Sequence, residues 1–122
     1  MNITARAHNF EFSEAIAGFA HDQLSAALNR FSDGVIFVDL YMKDTNGPRG
    51  GVDKQVLIRV RLRNRQLIAT ETTHEDLYMA IRRGARCTKR VVRRTLRKSA
   101  RINKLRLRRL REDYSWSGAT DP

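Results

Sequence analysis

Residues 55–104 read QVLIRVRLRNRQLIATETTHEDLYMAIRRGARCTKRVVRRTLRKSARINK, and the fold turns on a change of period within them. From Gln55 to Arg63 the residues alternate, with Val56, Ile58, Val60 and Leu62 on one side and Leu57, Arg59, Arg61 and Arg63 on the other. Period two marks a half-buried strand, because successive side chains leave opposite faces. Asn64 is placed to turn this strand into a hairpin with Gln66–Thr73. In that second strand either Leu67, Ala69 and Glu71 or Ile68, Thr70 and Thr72 face inward, and the latter set is preferred because it keeps Glu71 out of the core. Near Thr73 the period becomes helical. Thr73 with Asp76 three residues later has the form of a capping box, and acids in a first turn suit the positive end of the helix dipole.

On a wheel of about 100° per residue, Leu77, Ile81, Gly84, Ala85, Thr88, Val91, Val92, Thr95, Leu96, Ser99 and Ile102 fall within an arc of about 140°. Arg82, Arg83, Arg86, Lys89, Arg90, Arg93, Arg94, Arg97, Lys98, Arg101 and Lys104 all fall outside it. Arg106 and Leu107 break the partition. The spacing therefore predicts one docked helix from about Glu75 to about Lys104, some 45 Å long at about 1.5 Å per residue.

Working upstream, Asn2–Ala7 alternates as a short strand, with Ile3, Ala5 and Ala7 apolar. Ser13 suits a helix N-cap. Ile16, Phe19, Ala20, Leu24, Ala27 and Phe31 then recur at helical spacing until Asp33-Gly34. Val35–Met42 reads as a strand with Ile36, Val38, Leu40 and Met42 on one face, followed by a glycine- and proline-bearing loop over Thr45–Gly51. The order is β-α-β-β-β-α, an α+β sandwich with two helices on one face of a four-stranded sheet. Residues 1–104 are expected to form one domain, and 105–122 a flexible tail, basic and then acidic-aromatic.

Charge sets the function class. The 122-residue chain carries +11, yet Arg82–Arg111 holds fifteen basic residues and no acid, leaving nine basic and thirteen acidic residues elsewhere. A solvated helix usually pairs its charges at i, i+4, and here no acid lies between Asp76 and Glu112 to do so. Such a surface is built to meet a polyanion, and its preference for arginine favours bidentate phosphate contacts. The longest apolar run, Val35-Ile36-Phe37-Val38, is far short of a membrane span, which needs about 20 residues. Cys87 is the only cysteine, which excludes an intrachain disulfide and a multi-thiolate zinc site. The N-terminus has no signal-like leader, so a cytoplasmic location is expected.

The element order, the opening Asn2-Ile3-Thr4, and the run Thr73-His74-Glu75-Asp76-Leu77-Tyr78-Met79-Ala80-Ile81 ahead of a basic helix resemble the ribosome hibernation-promoting factor and ribosome-associated inhibitor family. The resemblance covers roughly residues 1–100. It implies a fold similar to the double-stranded-RNA-binding domain. It also implies docking on the small ribosomal subunit and its ribosomal RNA, in the channel used by messenger and transfer RNA, so that translation is silenced under stress. Arg90, Arg94 and Lys98 match basic positions of the family's second helix. The chain departs from the family in carrying Arg82 and Arg86 where acids are common, and in its longer loop around Asn46–Gly51 with Asp53-Lys54. Without the dimerisation domain of the family's long members, it is expected not to hold two ribosomes together by itself, and it is expected to be monomeric when free.

The candidate RNA-binding residues are Arg82, Arg83, Arg86, Lys89, Arg90, Arg93, Arg94, Arg97, Lys98 and Arg101, with Arg49, Arg59, Arg61 and Arg63 as candidate secondary contacts. The last three line the sheet face away from the helices, as a second RNA surface or as ordinary solvated cations. Gly47-Pro48-Arg49-Gly50 matches the GXXG clamp of KH domains, but that clamp joins two helices and this loop joins two strands. Cys87 reads as small filler beside the basic face, and His8, His21 and His74 lack metal-ligand spacing. Tyr114 and Trp116 are aromatic candidates for base stacking in the tail. No nucleophile–base pair, carboxylate pair or metal cluster emerges, so neither catalysis nor a cofactor, small-molecule substrate or membrane partner is expected. Two other readings compete: a general structured-RNA or ribosome-assembly protein, and a basic amphipathic module for anionic membrane or an acidic protein.

Overall fold

The computed structural model of the chain describes residues 1–8, 13–44 and 54–120, with side chains as far as residue 112. The elements follow the expected order: β1 (Asn2–His8), α1 (Glu14–Leu28), a 3-10 helix (Asn29–Gly34), β2 (Val35–Asp44), β3 (Lys54–Leu62), β4 (Leu67–His74) and α2 (Leu77–Thr120). The four strands form one mixed sheet in the order β1-β2-β3-β4, with β1 parallel to β2 and the other pairs antiparallel. Two compact units divide the chain, Met1–Val92 and Arg93–Pro122.

In the first unit the core lies on one face of the sheet. Val56, Ile58, Val60 and Leu62 are fully buried, as the alternation requires, and Ile68 and Thr70 join them from β4. Leu67, Ala69 and Glu71 are exposed, so β4 turns the preferred face inward. From α1, Ala20, Leu24 and Leu28 are buried, and from α2, Ala80, Ile81, Ala85 and Val92. Glycine at 84 lets α2 lie close against the sheet. A Cβ there would stand 2.9 Å from Ile58 Cδ1 and 3.0 Å from Thr72 Oγ1. Two hydroxyls of β4, those of Thr70 and Thr72, tie the helix down as well. Thr70 Oγ1 and Thr88 Oγ1 lie 2.7 Å apart in the buried layer, and Thr72 Oγ1 donates to the Ala80 carbonyl at 3.1 Å. The Phe19 and Tyr78 rings meet edge-on at 4.9 Å, joining the two helices on the same face.

Ser13 caps α1 as expected, its hydroxyl accepting from the Ile16 amide at 3.2 Å. Three local expectations are corrected. In β2 the register shifts between Val35 and Phe37, so Val35 is buried and Ile36 is 49% exposed; the irregularity breaks the period on which the inward assignment of Ile36 rested. Thr73 does not cap the second helix, because the β3–β4 ladder runs on to Lys54↔His74 and keeps Thr73 in the strand. The cap is Asp76: its carboxylate accepts from the Tyr78 amide at 3.0 Å and its carbonyl from the Ala80 amide at 3.0 Å. Finally, α2 continues to Thr120 where the wheel stopped near Lys104. Residues 105–112 are all Leu, Arg or Glu, strong helix formers that sustain a helix without an apolar stripe. The Asn46–Gly51 loop, with Arg49, lies outside the described residues.

Candidate nucleic-acid interface

The face of α2 opposite the core is made of cations. Arg82, Arg83, Arg86 and Arg90 are exposed and Lys89 is half-buried, all in the first unit. Their placement follows from the packing just described. Once Ile81, Gly84, Ala85, Thr88 and Val92 face the sheet, helical geometry sends the residues between them outward. In the second unit Arg94, Arg97, Lys98 and Arg101 are exposed, while Arg93 is half-buried. All ten primary candidates are therefore on α2, five in each unit.

Arg82, Arg86 and Lys89 do not simply line a convex surface. Together with Ala85 they form one wall and the floor of a groove of about 320 Å³, whose other wall is Gln23, Ala26 and Ala27 of α1. Gln23, Ala26 and Ala27 carry no charge, so no residue lining the groove opposes an anion there. Arg82 is held at the groove mouth with its guanidinium 5.9 Å above the Phe19 ring, a cation–π geometry that reduces its freedom. The α1 contribution was not legible in the sequence, because a helical wheel gives the direction of a residue from its own axis and not which neighbour stands opposite.

On the other face of the sheet the secondary candidates have different fates. Asp39, on β2, is flanked in register by Thr4 and Arg59. It accepts from Arg59 at 2.9 Å, Arg6 at 2.8 Å and Thr4 at 3.1 Å. Burial pushes the Asp39 pKa upward, but the hydrogen bonds from Arg6, Thr4 and Arg59, with the charge of Arg6, outweigh it and hold the carboxyl below its ordinary value. Arg59 thus already faces a carboxylate, and Arg61 donates to the Arg65 carbonyl at 2.9 Å. Arg63 is exposed near the turn. Tyr114 and Trp116 lie where the structure describes the helix backbone alone.

Residues 3–100 match the family described as Sigma 54 modulation protein / S30EA ribosomal protein. Among solved structures the chain is similar to the N-terminal domain of Protein Y from Thermus thermophilus, at 25% identity and a TM-score of 0.65, over 78% of this chain and 99% of that one. A ribosomal subunit interface protein from Coxiella burnetii shares the fold at 14% identity and a TM-score of 0.65, over 78% of this chain and 97% of that one. No curated protein matches the chain in sequence. Among the described residues no helix is long and apolar enough to cross a membrane.

Proposed function

We propose that this chain, which belongs to the Sigma 54 modulation protein / S30EA ribosomal protein family, binds the ribosome through the cationic face of α2 and silences translation by occupancy. The partner is the small subunit, and the surface met is its ribosomal RNA, where the protein excludes messenger RNA, transfer RNA and initiation factors during stress. The observation that carries this reading is the sign purity of the segment that bears this face: fifteen cations from Arg82 to Arg111 with no acid among them. Phosphate is the ligand such a surface lacks, and the α1–α2 groove gives three of those cations a shared recess in which to hold it. No chemistry is required. The protein acts as a reversible plug from the cytoplasm, one copy per ribosome.

Sedimentation of lysate on a sucrose gradient tests the proposal. The expected result is co-migration with small subunits or whole ribosomes, with inhibition of translation saturating near one protein per ribosome and relieved by added initiation factors. Pelleting with membranes, or inhibition at far below one copy per ribosome, overturns it.

A further inference from the structure

The family match stops at residue 100, and α2 does not. Within the second unit, taken by itself, every residue from 100 to 112 is exposed. This stretch contains Arg101, Lys104, Arg106, Arg108, Arg109 and Arg111, and its first acid is Glu112. The distribution of these cations differs from that on the docked part of the helix. At about 100° per residue, Lys104, Arg108 and Arg111 fall within about 60° of one another, while Arg106 and Arg109 fall on the opposite side. Arg101, Lys104 and Arg108 also bracket Leu105 around a notch of about 100 Å³. The cations at Arg82–Arg90 can address a polyanion from one side only, since the other side is core. Those of 101–111 present charge to both sides at once.

A flat anionic surface can satisfy one side of such a helix and leaves the other repelling itself. A groove with phosphates on both walls satisfies both. An anionic membrane fits poorly for a second reason. Ile102, Leu105, Leu107 and Leu110 are 41%, 53%, 56% and 58% exposed, but Arg106 and Arg109 fall between them on the wheel and leave no apolar face to insert. The A-form major groove is too narrow for a helix except where an internal loop or bulge opens it.

From this we infer that residues 101–111 are a second RNA-binding element of a different kind: an arginine-rich helix that enters an opened major groove and contacts phosphates on both walls. The inference rests on the reading that the partner is RNA, but not on the α1–α2 groove being the site of the first contact.

The test uses the full chain and a hairpin RNA with an internal loop, alongside a perfect duplex and vesicles of anionic phospholipid. Two variants divide the helix by side, K104Q/R108Q/R111Q and R106Q/R109Q, glutamine being chosen to keep helix propensity. Each lost phosphate contact flattens the dependence of log K on log salt by about 0.9 and weakens binding about eightfold near 0.1 M salt, so losses of about 500-fold and 60-fold are expected on the looped hairpin. If one variant binds as wild type with an unchanged salt slope, contact is one-sided and the inference falls. It falls equally if wild type ignores the hairpin, prefers the perfect duplex, or binds the vesicles with the same dependence on these cations. R82Q/R86Q/K89Q, tested on ribosomes in parallel, separates the two proposals, since loss there with no effect of the 104–111 variants leaves the proposed function standing and removes this one.

Discussion

Neutralising the groove wall tests most directly how the protein holds its partner. In R82Q/R86Q/K89Q the three cations that share the α1–α2 groove become neutral while glutamine preserves the helix. If each contacts one phosphate, each releases counterions worth about 0.9 in the slope of log K against log salt. Wild type should then bind ribosomes about 500-fold more tightly than the variant near 0.1 M salt, about 25-fold near 0.3 M, with the two lines converging toward 1 M. The fold should be little affected. Arg82 and Arg86 are exposed, and the guanidinium over Phe19 contributes about 0.5–1 kcal/mol at such a site. The assay is a ribosome-binding titration at several salt concentrations, with thermal melts as control. Parallel lines, an affinity loss of the same size at every salt, would refute the reasoning, because it would mean that the cations act through shape or neutral hydrogen bonds and not through phosphate neutralisation.

Two further predictions concern the scaffold. Thr88→Val leaves the Thr70 hydroxyl buried without its 2.7 Å partner and should cost about 1–3 kcal/mol, while the double variant with Thr70→Val should recover most of that loss in a urea-denaturation cycle; additive costs would show that the pair is not coupled. Asp39, whose folded pKa is depressed, contributes stability that is fully present above its unfolded value, near 3.8, and is lost as pH falls through the folded value. Asp39→Asn should therefore be less stable at neutral pH and show a shallower acid-side decline in urea midpoint, and an unchanged decline would remove Asp39 from the acid response.

What the sequence could and could not disclose follows from the range of the forces involved. Alternation in Gln55–Arg63 and the helical stripe from Leu77 to Ile102 are local periodicities; the first survives in the structure, and the second is buried at Ile81, Ala85, Thr88 and Val92 but not at Ile102, which is 41% exposed. The inversion of Ile36 escaped because a register shift is a property of two strands and leaves no mark on one. Capping by Asp76 in place of Thr73 was decided by how far the ladder with β3 extends, which again depends on a partner segment. Arg59 is in the same position. Its alternation placed it on the open face correctly, but the carboxylate that engages it is twenty residues away, on the neighbouring strand. The candidate site was legible as a list of cations, and what was missing was the uncharged wall of α1 that makes a recess of three of them.

The bare backbone at Gly84 has a consequence for how the charges are aimed. Turning the helix by one residue would bring Arg83 or Ala85 to the spot where even a methyl group stands 2.9 Å from Ile58 Cδ1. Position 84 therefore acts as a key to this rotational setting of the helix on the sheet: a side chain there must first displace the ends of Ile58 and Thr72. On the turns around it the azimuth of the cations follows that setting, so a residue with no side chain and no charge helps determine where Arg82, Arg86 and Lys89 point. The cationic face can accordingly change its composition without changing its bearing, as long as the key is kept. A bulky side chain at 84 would rotate or lift the whole array while leaving each of its charges in the sequence.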